Sequence, residues 1–360
     1  AQDPAAILLD MLRRLSHGRP VVRRLCFPCG CHPYRARGSV SRILEADDPR
    51  VVLYRNRAER DHVEYQNQVR ALAAQALDQA STETLLPNGG KASAALNRMD
   101  CVVGVHYSWD CLRRLGQARA SGRPVLVDSV LVPSVAAPEL VELAAEAAPR
   151  VYVADLELIR CHLSRDGSGH VDSCNFVVAH PVQVPLARLA PPFLVLDGVG
   201  SGQNVGQILR TAFHLGVTSV IASRAAWNNL AGRACRVSMG WLYFMDFHLA
   251  EPIGHALMEL RTRGVRIYAA EDHFSVPVAP HEPPGDAAWA LIVGHEDAGV
   301  SPEAVELSHA KICVPQVRGE SLNVAHAAAI GLYELGRHHR ATLLGAAGEA
   351  PSWPRRRAPA

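Results

Sequence analysis

The sequence predicts an α/β protein of two domains, a doubly wound parallel sheet in the C-terminal half preceded by a small α/β domain. Three observations lead there. Short apolar runs alternate with helix-length segments from about Asp100 onward. Three loops of the C-terminal half share one layout: a strand, a Gly-containing turn with a polar residue, then a helix. The prolines Pro181, Pro185, Pro191 and Pro192 read as a stiff connector between the two regions.

Composition sets the bounds. At 360 residues the chain can fill two domains and bury a sizeable core. A hydrophobic content of 48% with 20% charged residues is ordinary for a soluble globular protein. The formal net charge of +2 permits an RNA or DNA partner without demanding one, so a basic footprint must be local. No apolar run approaches the ~20 residues of a membrane span. Nine cysteines, an odd number scattered through apolar segments, read as reduced thiols of a cytosolic or organelle-matrix protein. A cytoplasmic location follows as the expectation, with an organelle matrix as the alternative.

Residues 1–90 read as a basic, partly disordered extension. No acidic residue lies between Met11 and Leu44, while Arg13, Arg14, Arg19, Arg23, Arg24, Arg35, Arg37 and Arg42 accumulate. Such a stretch suits an RNA-binding arm or the remnant of a targeting presequence. The chain starts at Ala1, which is expected to reflect processing or trimming. In CFPCGCHP, Cys26, Cys29, Cys31 and His32 form half of a zinc-knuckle pattern, but no second Cys/His pair follows at the spacing a tetrahedral site needs. Incidental thiols are favoured, and no metal is expected. Val63, Val69, Leu72, Ala73, Ala76 and Leu77 recur at near-helical spacing, predicting one amphipathic helix over Ala58 to Ala80. Pro87-Asn88-Gly89-Gly90 ends it as a turn.

Residues 91–187 read as the small domain. Strands are predicted at Cys101 to Val105, Val125 to Val132, Val151 to Val153 and Asn175 to Ala179. Helices are predicted at Ser108 to Ala120, Pro138 to Ala147 and Leu156 to Leu163. Nothing within has a catalytic pattern; His106, Cys111, Cys161 and His162 match no metal template and read as packing residues.

Residues 188–342 form the larger domain. It opens with FLVLDGVGSGQNVGQILRTAFHLGV: a strand at Phe193 to Asp197, a glycine-rich loop, and a helix from Gln203 to Leu215. That order can bring backbone N–H groups to a phosphate or nucleotide. A dinucleotide site fails twice, because the glycines do not give G-x-G-x-x-G and Gly198 to Met245 contains no Asp or Glu to grip a ribose. Arg210, Arg224, Arg233 and Arg236 occupy that interval instead, which suits a polyanion. Further strands at Ser219 to Ala222, Val265 to Ala269, Trp289 to Val293 and Lys311 to Val314 complete a sheet of about five strands. Trp289 to Val293 runs into GHEDAGVSPE, placing Gly294, Glu296 and Gly299 at the carboxyl edge where ligands of such sheets bind. Alone, GHEDAG is an ordinary turn with Ser301 as a helix cap. The last strand stops at Pro315, and after Gly319 the residues Ser321 and Asn323 stand at the mouth of an Ala-rich helix.

Together NVGQILRTA (Asn204, Gly206, Arg210), GHEDAG and VPQVRGESLNVAHA closely resemble, in order and placement, the three signature motifs of the SpoU family of RNA 2′-O-ribose methyltransferases, within the SPOUT superfamily. The resemblance covers roughly Pro192 to His338. It implies a sheet whose C-terminal part is threaded into a trefoil knot, an exception to the rule against knotted chains. It implies S-adenosylmethionine as methyl donor, held by Gly294, Val314, Pro315, Gly319, Leu322 and Asn323, and a homodimer with the active site near its interface. The catalytic residues it implies are Asn204, Arg210, Glu296, Ser321 and Asn323. Arg210 would activate the ribose hydroxyl or bind the adjacent phosphate, and Asn204 would orient Arg210 or the ribose. Glu296 would fix the second loop or the substrate, and Ser321 and Asn323 would cap the last helix. The small domain resembles the ribosomal-protein-like RNA-binding module of many members, which favours ribosomal over transfer RNA slightly.

Two features depart from the family pattern. Ser201-Gly202-Gln203 stand where an Asp-Pro pair is common, and the loop from Pro315 to Ser321 is one residue short. A catalytically silent RNA-binding relative is the alternative reading; a nicotinamide oxidoreductase is disfavoured by the missing carboxylate. The tail, residues 343–360 with Arg355, Arg356 and Arg357, reads as disordered.

Overall fold

The computed structural model describes residues 38–54, 102–106, 109–163, 174–230, 232–271, 276–277, 287–318, 321–337, 339 and 343. The helix expected at Ala58 to Ala80, the CFPCGCHP segment, Gly319 and the Arg-containing tail lie outside them. The chain divides into two units: Ala1–Val182 with Ala231–Tyr243, and Gln183–Leu230 with Phe244–Ala360.

The first unit holds a five-stranded mixed sheet of β1 (Ser39–Ile43), β2 (Val102–His106), β3 (Val127–Pro133), β4 (Arg150–Ala154) and β5 (Cys174–Val178). Their spatial order is β1-β4-β3-β5-β2, with β5 antiparallel to both of its neighbours. Every residue of β3 is buried, as a central strand covered on both faces requires. Helices α1 (Trp109–Ala120) and α2 (Pro138–Ala147) flank the sheet, and the helix expected after β4 starts as an α turn at Leu156–Leu158 and widens into a π turn at Ile159–Leu163. Ile43, Leu131, Leu163 and Val177 form the core with Tyr54, whose hydroxyl lies 2.8 Å from Ser129 Oγ. Residues 232–243 belong to this unit although they lie in sequence between two strands of the other. Tyr243 donates to Ala179 O at 2.8 Å, and Arg114 stacks over Trp241 while donating to Met239 O.

The second unit is built on seven parallel strands, two more than the sequence predicts. They are β6 (Phe193–Leu196), β7 (Ser219–Ala222), β8 (Asp246–Leu249), β9 (Arg266–Ala270), β10 (Val276–Pro277), β11 (Trp289–Val293) and β12 (Ala310–Cys313), in the order β10-β12-β9-β11-β6-β7-β8. The two additions are both edges. Asp246 and His248 of β8 are only half-buried, so the strand lacks a continuous apolar run, and β10 is two residues long and ends in a proline. Its helices include α3 (Gly202–His214), α4 (Ile253–Thr262), α5 (Pro302–Leu307) and α6 (Val324–Leu335), besides a short one at Arg224–Asn228.

From Gln183 onward the proline-rich connector packs into this unit. Val184 N donates to Phe247 O at 2.8 Å, Leu186 and Leu189 are buried, and Arg263 donates to both of their carbonyls.

Two features of the topology position the site. The strands from β6 to β8 step outward in one direction, whereas β11, β9, β12 and β10 lie on the other side of β6, so the order reverses between β6 and β11. Such a switch point opens a crevice at the carboxyl edge. After β12 the chain comes back over the sheet, and α6 packs against α3 and β11 through Ala325, Ala328, Gly331 and Leu332. These small residues permit close approach: a Cβ on Gly331 would lie 3.1 Å from Leu291 Cδ2. Burying Leu332 alone contributes about 2 kcal/mol. No described helix is long and apolar enough to cross a membrane.

Candidate functional site

Because β6, β11 and β12 are parallel, the loops that follow them leave the same edge of the sheet. The first loop starts at Asp197, whose N–H continues the strand pairing to Val293 O at 2.9 Å. Its buried carboxylate accepts from Ser301 N at 2.8 Å and so ties this loop to the start of α5. Gly198 turns the chain with φ +82, a left-handed conformation that glycine tolerates without a Cβ clash. Ser201 then caps α3, accepting from Asn204 N at 3.5 Å. An N-cap acceptor is thus retained where the family pattern commonly has Asp-Pro.

The second loop closes on itself. His295 and Gly299 exchange both backbone hydrogen bonds at 2.9 Å, which brings residue 299 against residue 294. A Cβ on Gly294 would sit 2.1 Å from Gly299 C, a distance no side chain can occupy. Glu271, just beyond β9, accepts from Val300 N at 3.1 Å and anchors the far side of the turn.

A chain of side chains joins all three loops. Glu296 Oε1 accepts from Asn204 Nδ2 at 2.6 Å and from Ser201 N at 3.1 Å, while Oε2 accepts from Gly200 N at 2.9 Å. Asn323 Nδ2 donates to Asn204 Oδ1 at 3.2 Å. Asn323 also caps α6, its Oδ1 accepting from Ala325 N at 2.9 Å. Partial burial by itself would raise the Glu296 carboxyl, but the bonds from Gly200, Asn204 and Ser201 outweigh it and hold the group below its ordinary value. The carboxylate is therefore ionised at neutral pH, and all three of its N–H bonds are made to the charged form.

The structure thus gathers Asn204, Glu296 and Asn323. Gly294 lies at the base of the second loop, half-buried Val314 and exposed Pro315 follow β12, and Ser321 and Leu322 are exposed just ahead of α6. Arg210 stands apart. It is exposed on α3, six residues and about 9 Å of helix beyond Asn204, and among the described residues it has no hydrogen bond or ion pair. Asn204 is oriented by Glu296 and Asn323 and does not itself orient Arg210; Glu296 fixes the first loop as well as its own. The capping is done by Asn323, not Ser321.

Three contributors escaped the sequence reading: Asp197, Glu271 and His295. A carboxylate directly after an apolar strand, as at Asp197 and Glu271, is the signal that could have found two of them. Among the described residues no three or more His, Cys, Asp or Glu side chains are grouped to hold a metal ion.

An all-parallel α/β unit with three loops linked at its switch point has the layout of a ligand-binding domain. Residues 191–333 match the model of the SpoU rRNA Methylase family. Over 172 residues the chain is 35% identical to an uncharacterized tRNA/rRNA methyltransferase of Mycobacterium tuberculosis, covering 45% of this chain and 58% of the relative. Over 162 residues it is 32% identical to the 23S rRNA (guanosine(2553)-2′-O)-methyltransferase of Bacillus subtilis, covering 44% and 62%. The chain thus spans less than two thirds of either relative. An AdoMet-bound rRNA methyltransferase from Sinorhizobium meliloti superposes with a TM-score of 0.56 at 19% identity, covering 84% of this chain and 99% of that one. The likeness establishes the shared fold.

Proposed function

We propose that this protein is an S-adenosylmethionine-dependent RNA methyltransferase acting on a ribose 2′-hydroxyl, with ribosomal RNA slightly favoured over transfer RNA and the cytoplasm as its place of action. One observation carries the reading: within the family-matched segment, Glu296, Asn204 and Asn323 link the three loops at the switch point. The 2′-O-methyltransferase named among the relatives supports the position of transfer.

The residues around the crevice fit the methyl donor. Val314, Pro315 and Leu322 offer partly exposed apolar surface in the third loop, and the turn that follows Gly294 offers backbone polar groups. An adenosyl group needs both, an apolar cover for its ring and hydrogen bonds at its edges. Gly294, Val314, Pro315, Leu322 and Asn323 would hold it. When bound, the donor supplies an electrophilic methyl group.

The chain's own task is to place the hydroxyl in line and stabilise the oxygen as it loses its proton. A guanidinium with pKa above ~12 is a poor proton acceptor, so Arg210 acts as a cation: it binds the adjacent phosphate and lowers the energy of the developing alkoxide. Its exposure and lack of described partners leave it available for that contact. Glu296, Asn204 and Asn323 keep the loops in register, and Ser321 completes the rim of the third.

We further infer a homodimer and a knotted chain. His326, Ile330 and Tyr333 are exposed along one face of α6, and Ile330 and Tyr333 form an apolar pair suited to a second copy. The return of α6 over β11 supports the threaded path. The small mixed sheet of the first unit is the candidate RNA-positioning module. Incubation with methyl-labelled S-adenosylmethionine and separated 23S ribosomal and transfer RNA tests the reading. Label in one RNA class, lost in Arg210→Ala and Asn323→Ala, is the expected result; no label in either class defeats it.

A further inference from the structure

His295 is placed where a turn-forming residue would suffice, yet half of its ring is unused by the turn. Its Nδ1 lies 3.1 Å from Asp297 N and 3.4 Å from Ala298 N and accepts from both. A ring nitrogen that accepts carries no proton, so in the neutral ring the proton sits on Nε2. The Nε2 edge lies over the first loop. A Cβ on Gly200 would meet Nε2 at 3.3 Å and Cδ2 at 3.6 Å, and a Cβ on Gly198 would meet His295 Cβ at 3.6 Å. The absence of a side chain at Gly200 thus leaves room for this ring. Among the described residues Nε2 has no hydrogen-bond partner, while Glu296 next to it is engaged by Gly200, Ser201 and Asn204.

We propose that His295 is a substrate-binding residue whose Nε2–H donates to an acceptor oxygen of the RNA sugar–phosphate backbone. The inference rests on the function proposed above and adds a contact to it. Its ring faces the first loop, from which α3 and its row Asn204, Gln207 and Arg210 extend, and not the loop after β12 that supplies most of the proposed cofactor contacts. The bonds at Nδ1 fix the tautomer and the direction of the donor, so the ring is oriented before RNA arrives.

Two substitutions in the full-length protein separate this role from a purely local one. In His295→Asn, the side-chain oxygen can still accept from the backbone two residues on, keeping the turn but removing the Nε2 donor. His295→Ala removes both. Methyl transfer to protein-free 23S ribosomal RNA is measured over a range of RNA concentrations, with S-adenosylmethionine affinity measured by calorimetry. The expected result is a KM for RNA raised roughly tenfold in both variants, with the cofactor affinity of His295→Asn unchanged. Wild-type KM in His295→Asn would reduce the residue to a turn former and overturn the inference. A loss confined to cofactor affinity would overturn it in favour of a donor contact. Failure of the wild type to transfer methyl groups would defeat the underlying reading as well, which distinguishes the two failures.

Discussion

Glu296 and Asn204, 92 positions apart in the chain, meet at 2.6 Å and join the loop after β11 to the loop after β6. Gly200 N and Ser201 N donate to the same carboxylate, which holds it in place. Replacing Glu296 with Ala leaves these donors to solvent, since the contacts are exposed. A loss of about 0.5–1.5 kcal/mol is expected, read as a lowered Tm, together with a methyl-transfer rate reduced at least tenfold.

The same carboxylate gives a pH signature. Its folded-state pKa is lowered below the ordinary value near ~4.3, so its contribution is fully present above that value and is lost as pH falls through the folded one. The difference in Tm between wild type and Glu296→Gln should be flat from pH 7 to about 5 and shrink below about 4. A difference that grows on acidification would mean that the carboxylate is not the stabilising form.

Two glycines should respond differently to alanine. At Gly294 a Cβ would meet backbone atoms at 2.1–2.2 Å, and backbone cannot step aside. Gly294→Ala is expected to lose about 3 kcal/mol or more and to abolish activity. At Gly331 the nearest atom is a side-chain methyl at 3.1 Å, and the helix gains about 1 kcal/mol from alanine, so the net change in chemical denaturation should be near zero.

Arg210→Ala should separate activity from stability. An exposed side chain without described partners contributes within about 0.5 kcal/mol to folding, so Tm should hardly move. Methyl transfer should fall by about a hundredfold or more, as expected when a charge that stabilises a developing oxyanion is removed.

The proposed dimer face is tested by Tyr333→Asp. Tyr333 is 54% exposed and Ile330 37%. A charge placed between them should convert a dimer to a monomer in sedimentation velocity while leaving the fold intact by circular dichroism.

What the sequence revealed, and what it hid, follows from the reach of each interaction. Strands buried on both faces, such as Phe193–Leu196 and Trp289–Val293, announce themselves as apolar runs, and α3 announces itself by glycine at each end. Edge strands do not: Ser39–Ile43 and Asp246–Leu249 mix polar and apolar residues because one side meets solvent. Asn204, Glu296 and Asn323 were legible through motif order. Their mutual bonds were not, since they depend on strand order, which local pattern does not encode. Asp197 and Glu271 went unseen for the same reason, since each acts on backbone far away in sequence, whereas His295 acts on its own turn and carries no periodic signal.

The central claim is that the three linked loops methylate a ribose oxygen. Its most direct test is to digest the labelled RNA to nucleosides and locate the methyl group by mass spectrometry. Label retained on the sugar as a 2′-O-methylribose, and absent with Asn323→Ala, is the predicted result. Label on the base, or none at all from the wild-type protein, would contradict the account.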